Sequence, residues 1–319
     1  GIAGYFGSGD SQILKRMSDA ISHRGPDDEG FYVEKNIGLA HRRLAIIDVS
    51  PSGHQPMTGE DRDIQIVFNG EIYNFEELKR ELSQKHVFQG HSDTEVIVHL
   101  FEEIGAKVFS KLEGMFAIAL YDKKQGKLFL ARDRMGKKPL YYGIFNNTLL
   151  FGSEPKALMS HPVFIKELDM VSVNKYFQYE YVPTPHTMFK GMFKLEPGHY
   201  ATYGGTSISR TKFWDVPMVN KKEDISLENA LVRFDTLLHA AVKKRLMSDV
   251  PLGIFLSGGI DSSSIAYYAQ KIALGSNTKP IETFSIGFSE DSFDESKYAR
   301  RVSAHLKTNH HEKILSAKD

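Results

Sequence analysis

The sequence predicts two folds in succession: an α+β layered unit built on antiparallel sheets over residues 1–205, and an α/β unit on a parallel sheet over residues 226–319. Three observations predict this. The first part is rich in short β-type runs (IGLAHRRLAIID, IQIVFNGEIYN, GMFAIALYD, GKLFLARD, PLYYGIF, TLLFGSE) separated by turn signals, of which Asn146-Asn147 and Lys124-Gln125-Gly126 read as hairpins. Only two stretches there carry apolar residues at clear helical spacing, Phe75 to Gln84 behind Asn74 as N-cap, and Thr94 to Ile104. Beyond a linker over residues 206–225, polar and lysine-bearing from Val216 to Glu223, the rhythm changes. A helix (Leu227 to Arg245) is followed by strand (Pro251 to Leu256), helix (Ser262 to Ala273), strand (Ile281 to Phe288), helix (Glu295 to Leu306) and strand (His311 to Leu315). Short β-rich runs alternating with helices are the pattern of a parallel sheet.

With 319 residues there is room for two cores, and 40 basic side chains balance 40 acidic ones. No global field therefore draws the chain to nucleic acid or to an anionic membrane, and neither is expected as a partner. No apolar run reaches the ~20 residues of a membrane span, and the start GIAGYFGSGD has no basic n-region, so a cytoplasmic protein is expected. The absence of cysteine excludes disulfides and thiolate metal sites within these residues.

The turn Ser257-Gly258-Gly259-Ile260-Asp261-Ser262-Ser263 joins an apolar strand to a helix start. Glycines let main-chain N–H groups approach an anion, and the helix opening adds unpaired amides and a positive dipole end, so the turn suits phosphate. No lysine follows the glycines, which sets it apart from a Walker loop. The pattern resembles the pyrophosphate-binding loop of the ATP pyrophosphatase superfamily. That resemblance implies ATP held by Ser257 through Ser263, adenine flanked by Leu256, Ile286 and Gly287, and Mg²⁺ bound with pyrophosphate at Asp261.

In the first part, Arg43 reads from its residues alone as a clamp for a carboxylate or as a solvated strand residue. Asn69-Gly70 reads as a pair of oxyanion donors or as a hairpin turn, and Asp93, with Glu71 nearby, as a partner for an ammonium or as a helix cap. GIAGYFG, His23 to Asp27, His41 to Asp48, Phe68 to Asn74 and Gly90 to Glu95, with ARDRMGKKPLYY and GSEPKAL, resemble class II glutamine amidotransferases. Joined to the SGGIDSS part, they resemble glutamine-hydrolysing asparagine synthetase over the whole chain. The resemblance implies an N-terminal-nucleophile hydrolase fold of αββα layers followed by an ATP pyrophosphatase domain, incomplete here. It also implies glutamine bound by Arg43, Asn69, Gly70, Glu71 and Asp93, with Asn69 and Gly70 stabilising the oxyanion. ATP and aspartate, or another carboxylate acceptor, would be the other substrates, and the resemblance admits a homodimer.

One departure matters. The family places its nucleophilic cysteine immediately before the Gly-Ile-Ala-Gly-Tyr-Phe-Gly segment, and the sequence starts at Gly1. The intact set of pocket residues favours a cysteine absent from these residues over a relative without a glutaminase, such as a β-lactam synthetase or a non-catalytic module. The acceptor pocket is expected beyond Asp319, leaving a half-built sheet with an open edge, and some relatives amidate sugars, peptides or antibiotic precursors. Asp294-Glu295 reads as helix-start charge, and His310-His311, on opposite faces of a strand, does not read as a metal pair. The other histidines show no HExxH spacing.

Overall fold

A computed structural model describes residues 1–218, 224–276, 279–290 and 294–316. The chain divides into two compact units, Gly1–Met218 and Val219–Asp319. In the first, β1 (Ile2–Phe6), α1 (Ser11–Asp19), β2 (Asp28–Glu34), β3 (Ile37–Arg43), β4 (Met57–Thr58) and β5 (Ile64–Ile72) lead to α2 (Phe75–Leu82), α3 (Asp93–Ile104) and α4 (Val108–Lys111). Then come β6 (Gly114–Asp122), β7 (Lys127–Arg132), β8 (Tyr141–Phe145), β9 (Thr148–Gly152), α5 (Pro155–Met159), α6 (Met170–Tyr179), β10 (Met192–Lys194), β11 (His199–Tyr203) and β12 (Ile208–Lys212). The strands form two six-stranded sheets, ordered β10-β8-β9-β1-β3-β2 and β12-β11-β7-β6-β5-β4.

Alternation along the strands builds the layers. Ile2, Leu39, Leu149 and Phe151 of the first sheet meet Val67, Ala117, Ala119 and Leu130 of the second. The intervening residues point the other way: Ala3 and Tyr5 pack under Leu14 and Met17 of α1, while Ile66, Phe68, Ile118 and Leu120 pack under Ile97 and Phe101 of α3. Strands buried on both faces and helices on the two outer faces make the αββα sandwich. Asn146 and Asn147, with φ of 45° and 59°, turn β8 into β9, as the sequence predicts.

Three local expectations are corrected. Asn69-Gly70 is no turn; it lies inside β5, opposite Ala117 and Phe116 of β6. Asn74 precedes α2 without capping it, because its side chain is engaged elsewhere, donating to Lys111 O at 3.0 Å and accepting from Glu113 N at 2.9 Å. The stretch 206–225 is not all linker: Ile208–Lys212 pairs with β11 as an exposed edge strand, whose polar composition hides it, and residues 219–223 lie outside the described residues.

The second unit contains α7 (Leu227–Arg245), β13 (Gly253–Phe255), α8 (Ile260–Gly275), β14 (Glu282–Phe288), α9 (Ser296–Leu306) and β15 (Asn309–Leu315). Its three strands run parallel in the order β13-β14-β15. Among the described residues no helix is long and apolar enough to cross a membrane.

Candidate functional site

β1 is zipped between β3 and β9, and this fixes the position of Gly1. Gly1 N donates to Arg42 O at 2.6 Å, Arg42 N donates back to Gly1 O at 2.7 Å, and Ile2 N donates to Ser153 Oγ at 2.9 Å. Gly1 N therefore sits at a cleft of about 140 Å³ that also reaches Arg43, Asn69, Gly70, Glu71 and Asp93. The structure brings together all five residues picked out for this site.

Arg43 ends β3 and is 8% exposed. Its guanidinium donates to Ser50 O at 3.0 Å and to Asp48 O, which leaves part of the five-donor fork for another acceptor. The loop that holds it is itself tied down. Although partly desolvated, the Asp48 carboxylate accepts from the hydroxyls of Ser50 and Ser52 and from His91 N, and is pulled down to about 2. A Cβ at Gly53 would lie 2.0 Å from Arg43 Nη2, so only glycine lets the guanidinium pass.

Asn69 and Gly70 reach the cleft from β5. Asn69 Nδ2 is buried and has no hydrogen-bond partner, a costly condition of roughly 1–3 kcal/mol for a polar group. A Cβ on Gly70 would stand 2.0 Å from Met115 O, so the position admits no side chain without moving the sheet.

Asp93 opens α3 and is 5% exposed. Ser92, not Asp93, caps the helix, accepting from Thr94 N at 3.1 Å; Asp93 Oδ2 accepts from Ile72 N at 2.9 Å. Burial, reinforced by the Glu71 charge and opposed by backbone donors, pushes Asp93 up to about 7. Glu71 is also raised by burial, with Lys138 opposing. Two carboxyl groups short of positive charge thus face one cleft, the electrostatic requirement of an ammonium site.

Asp93 gives a stability prediction. Between the ordinary carboxylate range and about 7, the folded unit holds a proton that the unfolded chain has released, so stability falls as pH rises through that window. Asp93→Asn removes the dependence and should melt at a higher temperature than the parent at pH 8, with little difference near pH 4. Thermal melts at the two pH values check this, and a variant less stable than the parent at pH 8 contradicts it.

In the second unit, Gly258 has φ +83°, and a Cβ there would lie 2.5 Å from Tyr298 Cβ. Ser257 Oγ accepts from Gly259 N at 3.3 Å and lies 3.0 Å from Ser262 Oγ. Gly259 leads into α8 without a side-chain cap, Asp261 is exposed in the first turn, and Ser263 Oγ is buried without a partner. Leu256, Ser257 and Ile286 line one cleft of about 340 Å³; Gly258 and Ser263 line another. A Cβ on Gly287 would meet Ile314 Cδ1 at 2.5 Å, a packing reason for that glycine. Asp294 accepts from Ser296 N at 3.1 Å as a helix-start charge should, and His310 and His311 turn to Ser285 and Glu282 on opposite faces.

Residues 1–214 match the family model of a glutamine amidotransferase domain, and residues 233–319 match that of asparagine synthase. The chain belongs to the asparagine synthetase-type glutamine amidotransferase family. It is 36% identical to a putative glutamine-hydrolyzing asparagine synthetase 2 of Methanocaldococcus jannaschii, over 96% of this chain and 62% of that protein. It is 37% identical to the glutamine-hydrolyzing asparagine synthetase 1 of Bacillus subtilis, over 97% and 48%. Amidase chry2 of Gibberella zeae is 36% identical over 92% and 45%. The chain thus spans about half the length of the curated relatives it matches. The glutamine phosphoribosylpyrophosphate amidotransferase of B. subtilis superposes with a TM-score of 0.52 over 98% of this chain and 81% of that one, at 15% identity, a likeness of fold alone.

Three residues around the first unit's cleft escaped the sequence reading. Gln55 accepts from Phe68 N at 2.7 Å and donates to Thr94 Oγ1 at 3.1 Å, clipping β5 to the start of α3. His41 is buried beside the cleft, its pKa pushed far down by desolvation. Asp133, within the ARDRMG run, accepts from Phe116, Met135, Lys137 and Lys138 N–H groups and so positions the loop that carries Lys138 into the cleft.

Proposed function

We propose that the whole protein hydrolyses glutamine at the first unit's cleft and uses the ammonia to amidate aspartate, activated by ATP at the SGGIDSS loop. The observation that carries the glutaminase reading is the orphaned, buried Asn69 Nδ2, placed in a cleft with an arginine fork and a carboxyl pair. A donor kept desolvated and unpaired stabilises charge that appears only during reaction. Arg43 binds the α-carboxylate of glutamine, Asp93 and Glu71 bind its α-ammonium, and Asn69 Nδ2 with Gly70 N–H receives the carbonyl oxygen. The nucleophile is a cysteine joined to Gly1 N, with its own free amine as base. Its thiolate attacks the side-chain carbonyl, ammonia leaves with a proton, and water hydrolyses the thioester to glutamate.

In the second unit, the glycine-only turn at Gly258, the uncapped start of α8 and the unpaired Ser263 Oγ fit a polyphosphate. Leu256, Ile286 and Gly287 would border adenine. Mg²⁺, held with pyrophosphate near Asp261, would supply charge neutralisation for the departing phosphates. The acceptor carboxylate attacks the α-phosphorus, releasing pyrophosphate; ammonia then attacks the acyl-adenylate and AMP leaves. The similarity to a fungal amidase supports a second reading, in which the same chemistry serves a different carboxylate.

Product analysis of the full-length protein with glutamine, aspartate, ATP and Mg²⁺ tests this: AMP, pyrophosphate and asparagine are expected, and Asp261→Asn should stop pyrophosphate release while sparing glutamate release. ADP and phosphate as products would refute it, and pyrophosphate formed only with another acid would select the second reading. Arg43→Ala should raise the KM for glutamine at least tenfold with a smaller change in kcat, because a carboxylate clamp acts in ground and transition states alike.

A further inference from the structure

Four side chains from three separate segments converge beside α3: Glu60 from the loop before β5, His86 after α2, and His99 and Glu102 on α3. One ligand atom from each lies within 4.8 Å of all the others. His86 Nδ1 is 3.3 Å from Glu60 Oε2 and 3.8 Å from Glu102 Oε2, and His99 Nδ1 is 3.0 Å from Glu102 Oε2. Ligands at ~2.0–2.1 Å from a tetrahedral zinc stand about 3.3–3.4 Å apart, and these separations bracket that value.

The orientation of each group is as informative as its position. Glu60 spends Oε1 on Val87 N at 2.9 Å, and Glu102 spends Oε1 on Glu60 N at 3.2 Å; both aim Oε2 at the common centre. The histidines present Nδ1 to that centre and turn Nε2 outward toward carboxylates, His86 toward Glu103 at 3.4 Å and His99 toward Glu95 at 3.7 Å. At these distances neither Nε2 is hydrogen-bonded, and the carboxylates act on the imidazoles through charge alone. The rings are stacked with centroids 4.6 Å apart and planes 26° from parallel, an arrangement that two imidazolium ions would oppose, and one ring must turn for both Nδ1 lone pairs to meet on one ion. Their side chains are 9% and 3% exposed, so the nitrogens are held and largely dry. A Cβ on Gly59 would fall 2.1 Å from Glu102 Oε1, so a side chain there would push that carboxylate from its present place.

We propose that Glu60, His86, His99 and Glu102 form a closed, structural site for a divalent transition ion of the zinc type. Two nitrogen and two oxygen ligands with no thiolate suit zinc, and four protein ligands leave no position for chemistry. The ion would tie α3 to the loop before β5 and to the segment after α2. Asp93 begins the same helix, about 9 Å along the axis from His99, so the clamp fixes the helix that carries the carboxylate of the cleft.

The test uses full-length protein freed of metal by chelation, then dialysed against zinc chloride, with bound zinc counted by mass spectrometry. One zinc per chain is expected, together with a higher melting temperature and, on cobalt substitution, visible absorption of tetrahedral intensity. Glu60→Gln, at an exposed position that leaves the fold intact, and His86→Gln each remove a ligand and should weaken zinc binding by more than the roughly ten- to hundredfold that loss of an outer-shell partner costs. Zinc retained at parental affinity in both variants, or less than a tenth of an equivalent bound to the parent, would overturn the assignment. The cluster would then be a proton-bridged ion network, with His99 shared between Glu95 and Glu102.

Discussion

Asn69→Ala, in full-length protein carrying a cysteine before Gly1, should lower kcat for glutamine hydrolysis by about 10²–10³ while KM changes little. Most buried polar side chains are held by partners whose loss destabilises the fold; Asn69 Nδ2 is buried with none. Its amide therefore contributes little to holding the folded state together and is free for an oxyanion. The melting temperature of the variant should accordingly stay level or rise. Steady-state kinetics and a thermal melt together separate a donor acting in reaction from a structural asparagine, whose loss would lower both stability and activity.

Asp133→Ala should have the opposite signature, a large loss of stability. Oδ1 accepts from Met135 N at 3.1 Å and Lys137 N at 2.9 Å, and Oδ2 from Phe116 N at 3.1 Å and Lys138 N at 2.9 Å. Alanine leaves four backbone donors without this acceptor at a site 1% exposed. At about 1 kcal/mol or more per stranded group, the first unit should lose about 3–5 kcal/mol, roughly 10 °C or more in melting temperature. Calorimetry reads this directly. A melt within 2–3 °C of the parent, about the shift that 1 kcal/mol gives, would mean that water replaces the carboxylate at little cost.

What was legible in the sequence followed from periodicity and local chemistry. Short β-type runs and the hairpin turns at Asn146-Asn147 and Lys124-Gln125-Gly126 gave the antiparallel sheets, while the αββα layering came from the family resemblance; the structure shows its physical basis in β5 and β6, apolar at consecutive positions (Ile66-Val67-Phe68, Ala117-Ile118-Ala119) because both faces are covered. The parallel unit was readable because its helices and strands alternate at near-regular spacing. α1 and α6 were not foreseen, since Ser11–Asp19 is mostly polar and Met170–Tyr179 has a mixed face; Asp10 and Asp169 cap them with side-chain oxygens that only the fold identifies as caps. The dipeptide Asn69-Gly70 shows the limit of local signals. Two residues that favour a turn stay in a strand because β6 offers a continuous partner. Nor could spacing find the Glu60, His86, His99 and Glu102 cluster, whose members come from three segments brought together by packing.

The most direct test of the glutamine site is covalent trapping. A diazoketone analogue of glutamine, incubated with full-length protein, should place one adduct on the peptide that precedes Gly1. Excess glutamine should block it, and Arg43→Ala should slow it at least tenfold. An adduct at any other position, or one indifferent to glutamine and to Arg43, would contradict a glutaminase built around the Gly1 nitrogen.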